Sequence, residues 1–127
     1  MPNLLRLLIR IDLAVCALLA LPWVSQKVLG AIAAFDTLVG LERAELGISA
    51  TGYFFVNLAG LFGVAYNAIL LQSTEPVHHR INNYARVGVI MLLIAYMAFN
   101  ALPVLFGIFV LTEVLGLVVT HNWLRRA

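Results

Sequence analysis

Residues 101–126, ALPVLFGIFVLTEVLGLVVTHNWLRR, form an apolar run long enough to cross a bilayer, and one carboxylate, Glu113, sits near its middle. A hydrocarbon core about 30 Å thick takes about 20 residues of helix to cross. A charge facing lipid at that depth costs at least about 2.5–3.5 kcal/mol on insertion scales. Glu113 is therefore expected to face other helices and either share a proton or pair with a cation. The best candidate cation is Arg86, on the preceding apolar segment.

Composition extends this argument to the whole chain. Of its 127 residues, 63% are hydrophobic and 11% charged, with a mean hydropathy of +1.00; ordinary soluble domains run about 25% charged. Four apolar runs of spanning length predict an all-α membrane protein, a four-transmembrane-helix bundle forming a single domain over residues 1–127, with an additional amphipathic helix between the first two spans. The net charge of +2 does not point to a nucleic acid partner, because the eight basic residues gather at the ends of apolar runs. That placement sets topology. Arg6, Arg10, Arg80, Arg86, Arg125 and Arg126 fall on one side against Lys27 and Arg43 on the other, so both termini are expected in the cytoplasm.

The first span covers about residues 4–24 and ends at Pro22-Trp23, where the indole serves as an interface anchor. No small-residue cleavage pattern follows it, so it is expected to be a retained helix. At about 100° per residue, Asp12 shares a face with Ile9, Cys16 and Leu19, whereas Arg10 points away and reaches back to the headgroups. Asp12 is thus the inward polar group, and the lone Cys16 is a packed thiol. Between residues 25 and 51, apolar residues from Val28 to Val39 recur at helical spacing, but Asp36, Glu42, Arg43 and Glu45 interrupt a full span. An amphipathic helix at the interface or in the bundle mouth fits best, with a re-entrant or fifth short span as the alternative.

The second span, residues 52–72, carries Asn57, Gly60, Gly63, Val64 and Asn67 on one face. Small residues let helices approach closely in lipid, and asparagines bond across such contacts. A polar turn containing Pro76, His78 and His79 leads to the third span, residues 81–100, with Asn82, Arg86, Leu93, Met97 and Asn100 on a common face. His78 and His79 read as interface residues, and no metal-ligand spacing, phosphate loop or nucleophile signature is present. The connection at residues 100–103 is so short that the last two spans must form an antiparallel hairpin. Glu113, Gly116 and Thr120 share a face of the fourth span.

Aligning the spans by rise per residue puts Asp12, Asn67, Arg86 and His121 in the cytoplasmic half, with Glu113 near the middle. This convergence has two readings. In one, the residues form a polar cavity for a hydrophobic small molecule: Glu113, Arg86 and Asp12 carry acid–base chemistry, and Asn57, Tyr66, Asn67 and His121 bind the ligand, His121 with access to water. In the other, Asp12, Arg86 and Glu113 form a buried ion-pair network that fixes helix packing, and the asparagines are packing contacts. Neither reading calls for a cofactor or metal.

With these residues in view, the chain resembles the DoxX-like family of small bacterial four-span membrane proteins. The likeness rests on the four-span plan, the connection between the first two spans, the turn TEPVHHRINNYARVG and the final TEVLGLVVTHNWLRR. The resemblance implies a left-handed four-helix bundle in the inner (cytoplasmic) membrane of a bacterium. It also implies a distant relation to the EXPERA-type group, whose members include a sterol isomerase and a lipid-ligand receptor with acidic groups in an intramembrane cavity. Two expectations follow: an acid–base isomerase or cyclase acting on a lipid or terpenoid-like substrate, or a non-catalytic accessory subunit of a larger, quinone-linked membrane complex. The expected partners are membrane lipid, a hydrophobic small molecule, and either a second copy of the chain or a membrane-complex partner. A transporter is a third reading, which an oligomer would have to supply.

Overall fold

A computed structural model describes residues 1–40, 47–99 and 102–126, with the side chain of Asp36 excepted. The expected interruptions Glu42, Arg43 and Glu45, and Asn100 of the hairpin connection, lie outside the described residues. The chain folds as helices α1 (Asn3–Ala20), α2 (Pro22–Leu38), α3 (Ala50–Gln72) and α4 (Pro76–Ala98), then a 3-10 turn (Val104–Phe106) running into α5 (Gly107–Leu124). Among the described residues there is no strand. Among the described residues, three helices are long and apolar enough to cross a membrane: α3, α4, and α5 with its preceding turn. These mark the chain as a membrane protein. Helix α1, which carries Arg6, Arg10 and Asp12 within 18 residues, is not among them.

Two boundaries differ from the sequence reading, and proline explains both. The first helix stops at Ala20, where Leu21 is extended (φ −91°, ψ 119°), and Pro22 opens α2. Proline lacks an N–H and fixes φ, so it suits the first helical position and cannot continue a helix already running. The expected first span, residues 4–24, is therefore a helix–corner–helix. Pro76 likewise opens α4 one turn and more before residue 81, so His78 and His79 belong to a helix and not to a polar turn. Helix α3 starts on Ser49, whose Oγ accepts from the Gly52 N–H at 3.1 Å.

The helices form two antiparallel pairs. Helix α1 packs along α3, and α4 along α5; α2 reaches from the α1–α3 pair to the 3-10 turn, and α1 also touches α5. At Gly60 an added Cβ would lie 2.5 Å from the Ala20 nitrogen and 2.7 Å from the Leu19 carbonyl carbon, and at Gly63 it would lie 2.5 Å from Cys16 Sγ. Only a hydrogen side chain permits the backbone approach at Gly60, and at Gly63 the space is taken by the Cys16 thiol. Asn57 lies one turn before Gly60 and donates to Leu19 O (2.7 Å) and Ser25 Oγ (2.8 Å). It thereby satisfies a carbonyl orphaned by the end of α1 and ties the α1–α2 corner to α3.

Polarity is distributed inside out relative to a soluble domain. Among the described residues the buried polar ones are Ser25, Asn67, His79, Asn82, Asn83, Arg86 and Thr120, while Phe54, Leu61, Phe62, Met91, Leu92 and Leu111 are each at least 60% exposed. A small apolar core of Leu5, Ile9 and Leu70 closes one end beneath Met1 and Trp123. Where the surroundings are hydrocarbon, apolar outer faces cost nothing and polar groups must find partners within the protein.

Candidate functional site

Arg86 is the centre of the site. It projects from the face of α4 that buries His79, Asn82 and Asn83, at intervals of three and four residues. Opposite, α5 presents Gly116, Thr120 and Trp123 at matching intervals. A Cβ on Gly116 would lie 2.5 Å from Arg86 Nη1 and 2.6 Å from Cζ, so the guanidinium rests against the α5 backbone itself. Thr120 is fully buried one turn on, and the Trp123 and His79 rings meet edge to face with centroids 4.9 Å apart.

From that seat the guanidinium forks. Nη1 donates to Glu113 Oε2 at 2.6 Å, and Nη2 donates to Asp12 Oδ2 on α1. The arginine side chain is 4% exposed, and the Asp12 and Glu113 side chains 21% and 20%. Three helices are thus joined through one cation. The forked geometry is what arginine supplies and lysine does not. With all three groups ionised, the cluster carries one surplus negative charge beside a low-dielectric wall.

The cluster forms one side of a pocket of about 350 Å³ between the two helix pairs. Asp12, Tyr66, Asn67, Asn82, Arg86 and Glu113 supply its polar surface, against apolar walls that include Val89, Ile108 and Phe109. Asn67 is held by donation to Gly63 O at 2.9 Å and rests on Cys16 Sγ at 3.8 Å; the Tyr66 hydroxyl makes only a long contact, 3.4 Å, to His78 O. A second cavity of about 230 Å³ shares Val15, Val89, Phe109 and Glu113 with the first and continues to Leu29 and Ile32 of α2. Glu113 therefore lines both cavities.

Of the seven residues singled out from sequence, Asp12, Tyr66, Asn67, Arg86 and Glu113 line this pocket. Asn57 does not; its amide is spent on the α1–α2 corner. Nor does His121, which lies in a groove on the outer side of the α4–α5 hairpin with Arg80 and Arg125. A face assignment gives direction around a helix axis, and the corner at Leu21, which turns a helix end toward Asn57, is not visible from that. Sequence reasoning missed Ser25 and the burial of His79. The Ser25 signal was present, since a serine three residues after a helix-opening proline can bond back to it, as Ser25 Oγ does to Pro22 O at 2.9 Å. His79 Nε2 lies 3.2 Å from Ser73 O, while His78 Nδ1 lies 2.6 Å from Ser73 Oγ, so the link between α3 and α4 is bound down by both imidazoles.

No protein-family model matches the chain, and neither does any curated protein or solved structure. Fold and site alone define its class: a helical membrane protein built on one arginine shared by two carboxylates from separate helices. Function has to be argued from that arrangement.

Proposed function

We propose that this chain is a small multi-pass protein of the bacterial inner membrane, DoxX-like in plan, whose bundle binds a hydrophobic small molecule with its polar end at the Asp12–Arg86–Glu113 cluster. Helix α1 is the fourth span: its 18 residues rise about 27 Å, close to the hydrocarbon thickness, with Asp12 and Arg86 neutralising each other inside. The observation that carries the reading is a polar cluster exposed to a cavity of ligand size instead of sealed by packing. The surplus negative charge disfavours an anionic ligand and suits a neutral head that hydrogen-bonds, such as a hydroxyl or carbonyl on a terpenoid-like or lipid skeleton. As an acid–base catalyst of isomerisation or cyclisation, Glu113 exchanges the proton, Arg86 holds it in place, and Asp12, Tyr66 and Asn67 orient the substrate.

Native mass spectrometry of the chain extracted in mild detergent tests the reading. A hydrophobic small molecule is expected to travel with the wild type and to be lost from Ala85→Trp, which adds bulk at the pocket lining and leaves all three charged groups in the chain. For catalysis, Glu113→Gln should retain the ligand and stop its conversion. A wild type that carries no such molecule refutes the proposal. The completeness of the ion pairing, with both carboxylates already on Arg86, favours a second reading, a non-catalytic subunit of a larger membrane complex. Stoichiometric co-purification of another membrane protein with an empty pocket is its signature.

A further inference from the structure

A second site lies on the opposite side of the α4–α5 hairpin from the pocket. There, a groove of about 440 Å³ runs between the first turns of α4 and the last turns of α5. Arg80 and His121 stand over it with Arg125, all three exposed; the described ion pairs both belong to Arg86, so neither arginine has an acidic partner among the described residues. Below this rim the walls turn apolar, with Val87 on α4 and Leu117 on α5. Asn83 also lines the groove, is 8% exposed, and has a carboxamide oxygen with no partner among the described residues. Arg80 precedes Arg86 by six residues, so the basic rim stands about 9 Å nearer the helix end than the central ion pair. Charge at the rim and apolar walls beneath it follow the profile of a lipid molecule from phosphate to acyl chain.

We propose that this groove binds the headgroup of an anionic phospholipid from the surrounding leaflet. Arg80 and Arg125 take the phosphodiester, and the acyl chains lie along Val87 and Leu117. A zwitterionic lipid offers the same phosphate, but its ammonium group meets two unneutralised arginines. That repulsion is the source of selectivity. Each arginine within headgroup range contributes about fivefold to affinity for an anionic lipid, so the pair predicts a preference of about thirtyfold. The site is independent of the ligand pocket, with which it shares no lining residue.

The test is competition for delipidated protein in detergent between phosphatidylglycerol and phosphatidylcholine with identical acyl chains, read by native mass spectrometry. Wild type is expected to hold phosphatidylglycerol about thirtyfold better, and Arg80→Gln/Arg125→Gln to bring the two lipids within about threefold. Arg6→Gln/Arg10→Gln removes the same charge outside the groove and should keep the preference, whereas Val87→Trp fills the apolar wall and should reduce binding of the anionic lipid. Millimolar inorganic phosphate should leave the lipid in place. A wild type without preference, a double groove variant that retains it, equal loss in the Arg6/Arg10 variant, full binding by Val87→Trp, or displacement by inorganic phosphate would each overturn the assignment.

Discussion

At the scale of single residues, Arg86 decides the most. Removing one partner of a buried ion pair leaves the others desolvated and uncompensated, so Arg86→Met is expected to destabilise the protein by about 3–5 kcal/mol. Replacing all three groups at once, Asp12→Leu/Arg86→Met/Glu113→Met, should be neutral or stabilising, because the desolvation cost goes with them. Reversible unfolding in mixed micelles measures both, and a triple variant as unstable as Arg86→Met would show that the cluster is more than an electrostatic balance. Gly116 is tied to the same balance, since a methyl group there strikes the guanidinium. Gly116→Ala should cost about 1–3 kcal/mol, and most of that loss should vanish in the triple apolar background. An equal cost in both backgrounds would place the strain elsewhere.

At the scale of helices, the α1–α3 contact depends on glycine where backbones meet, and other glycines carry no such role. Gly60→Ala drives a methyl group into the backbone of α1 and should lower stability by about 1–3 kcal/mol. Gly88, in the middle of α4, has nothing within 4 Å of an added Cβ, so Gly88→Ala should raise stability by about 0.5–1 kcal/mol through helix propensity alone. Opposite signs from the same substitution, read in one unfolding series, are the expected result; matching signs would contradict the packing described for α1 and α3. The Asn57–Gly60–Gly63–Asn67 face was legible as a contact face from its spacing. What it contacts was not, because Asn57 and Gly60 meet a helix end created by Pro22, and spacing within α3 carries no information about where α1 stops.

At the scale of the whole molecule, the antiparallel pairing gathers Met1, the α3–α4 link at residues 73–75 and the end of α5 at one end, with Arg6, Arg80, Arg125 and Arg126 around it. The corner at Leu21 and the 3-10 turn stand at the other. Cysteines placed at Thr74 and Arg126 in a Cys16→Ser chain should therefore be labelled from the same face of the membrane by an impermeant maleimide, and one at Leu38 from the opposite face. Labelling of Thr74 and Arg126 from different faces would refute the hairpin, and labelling of Arg126 from the periplasmic face would refute the expected cytoplasmic C-terminus. Around this frame, the two helix pairs are held to each other by α1 against α5 and by the Asp12–Arg86 bond, with the pocket in the space between.

By itself, the sequence determined that polar groups on separate apolar helices must turn toward one another, since no side chain escapes the cost of charge in hydrocarbon, and from rise per residue it determined that Asp12, Arg86 and Glu113 stand at compatible depths. Tertiary structure alone decided which of those groups bond, that Arg86 bridges two carboxylates beside a cavity, and that Asn57 and His121 lie apart from it. The physical reason is that depth and facing are properties of one helix, fixed by its own periodicity. Pairing is a property of two, and it depends on the close approach that Gly60, Gly63 and Gly116 permit and on the corner that Pro22 imposes.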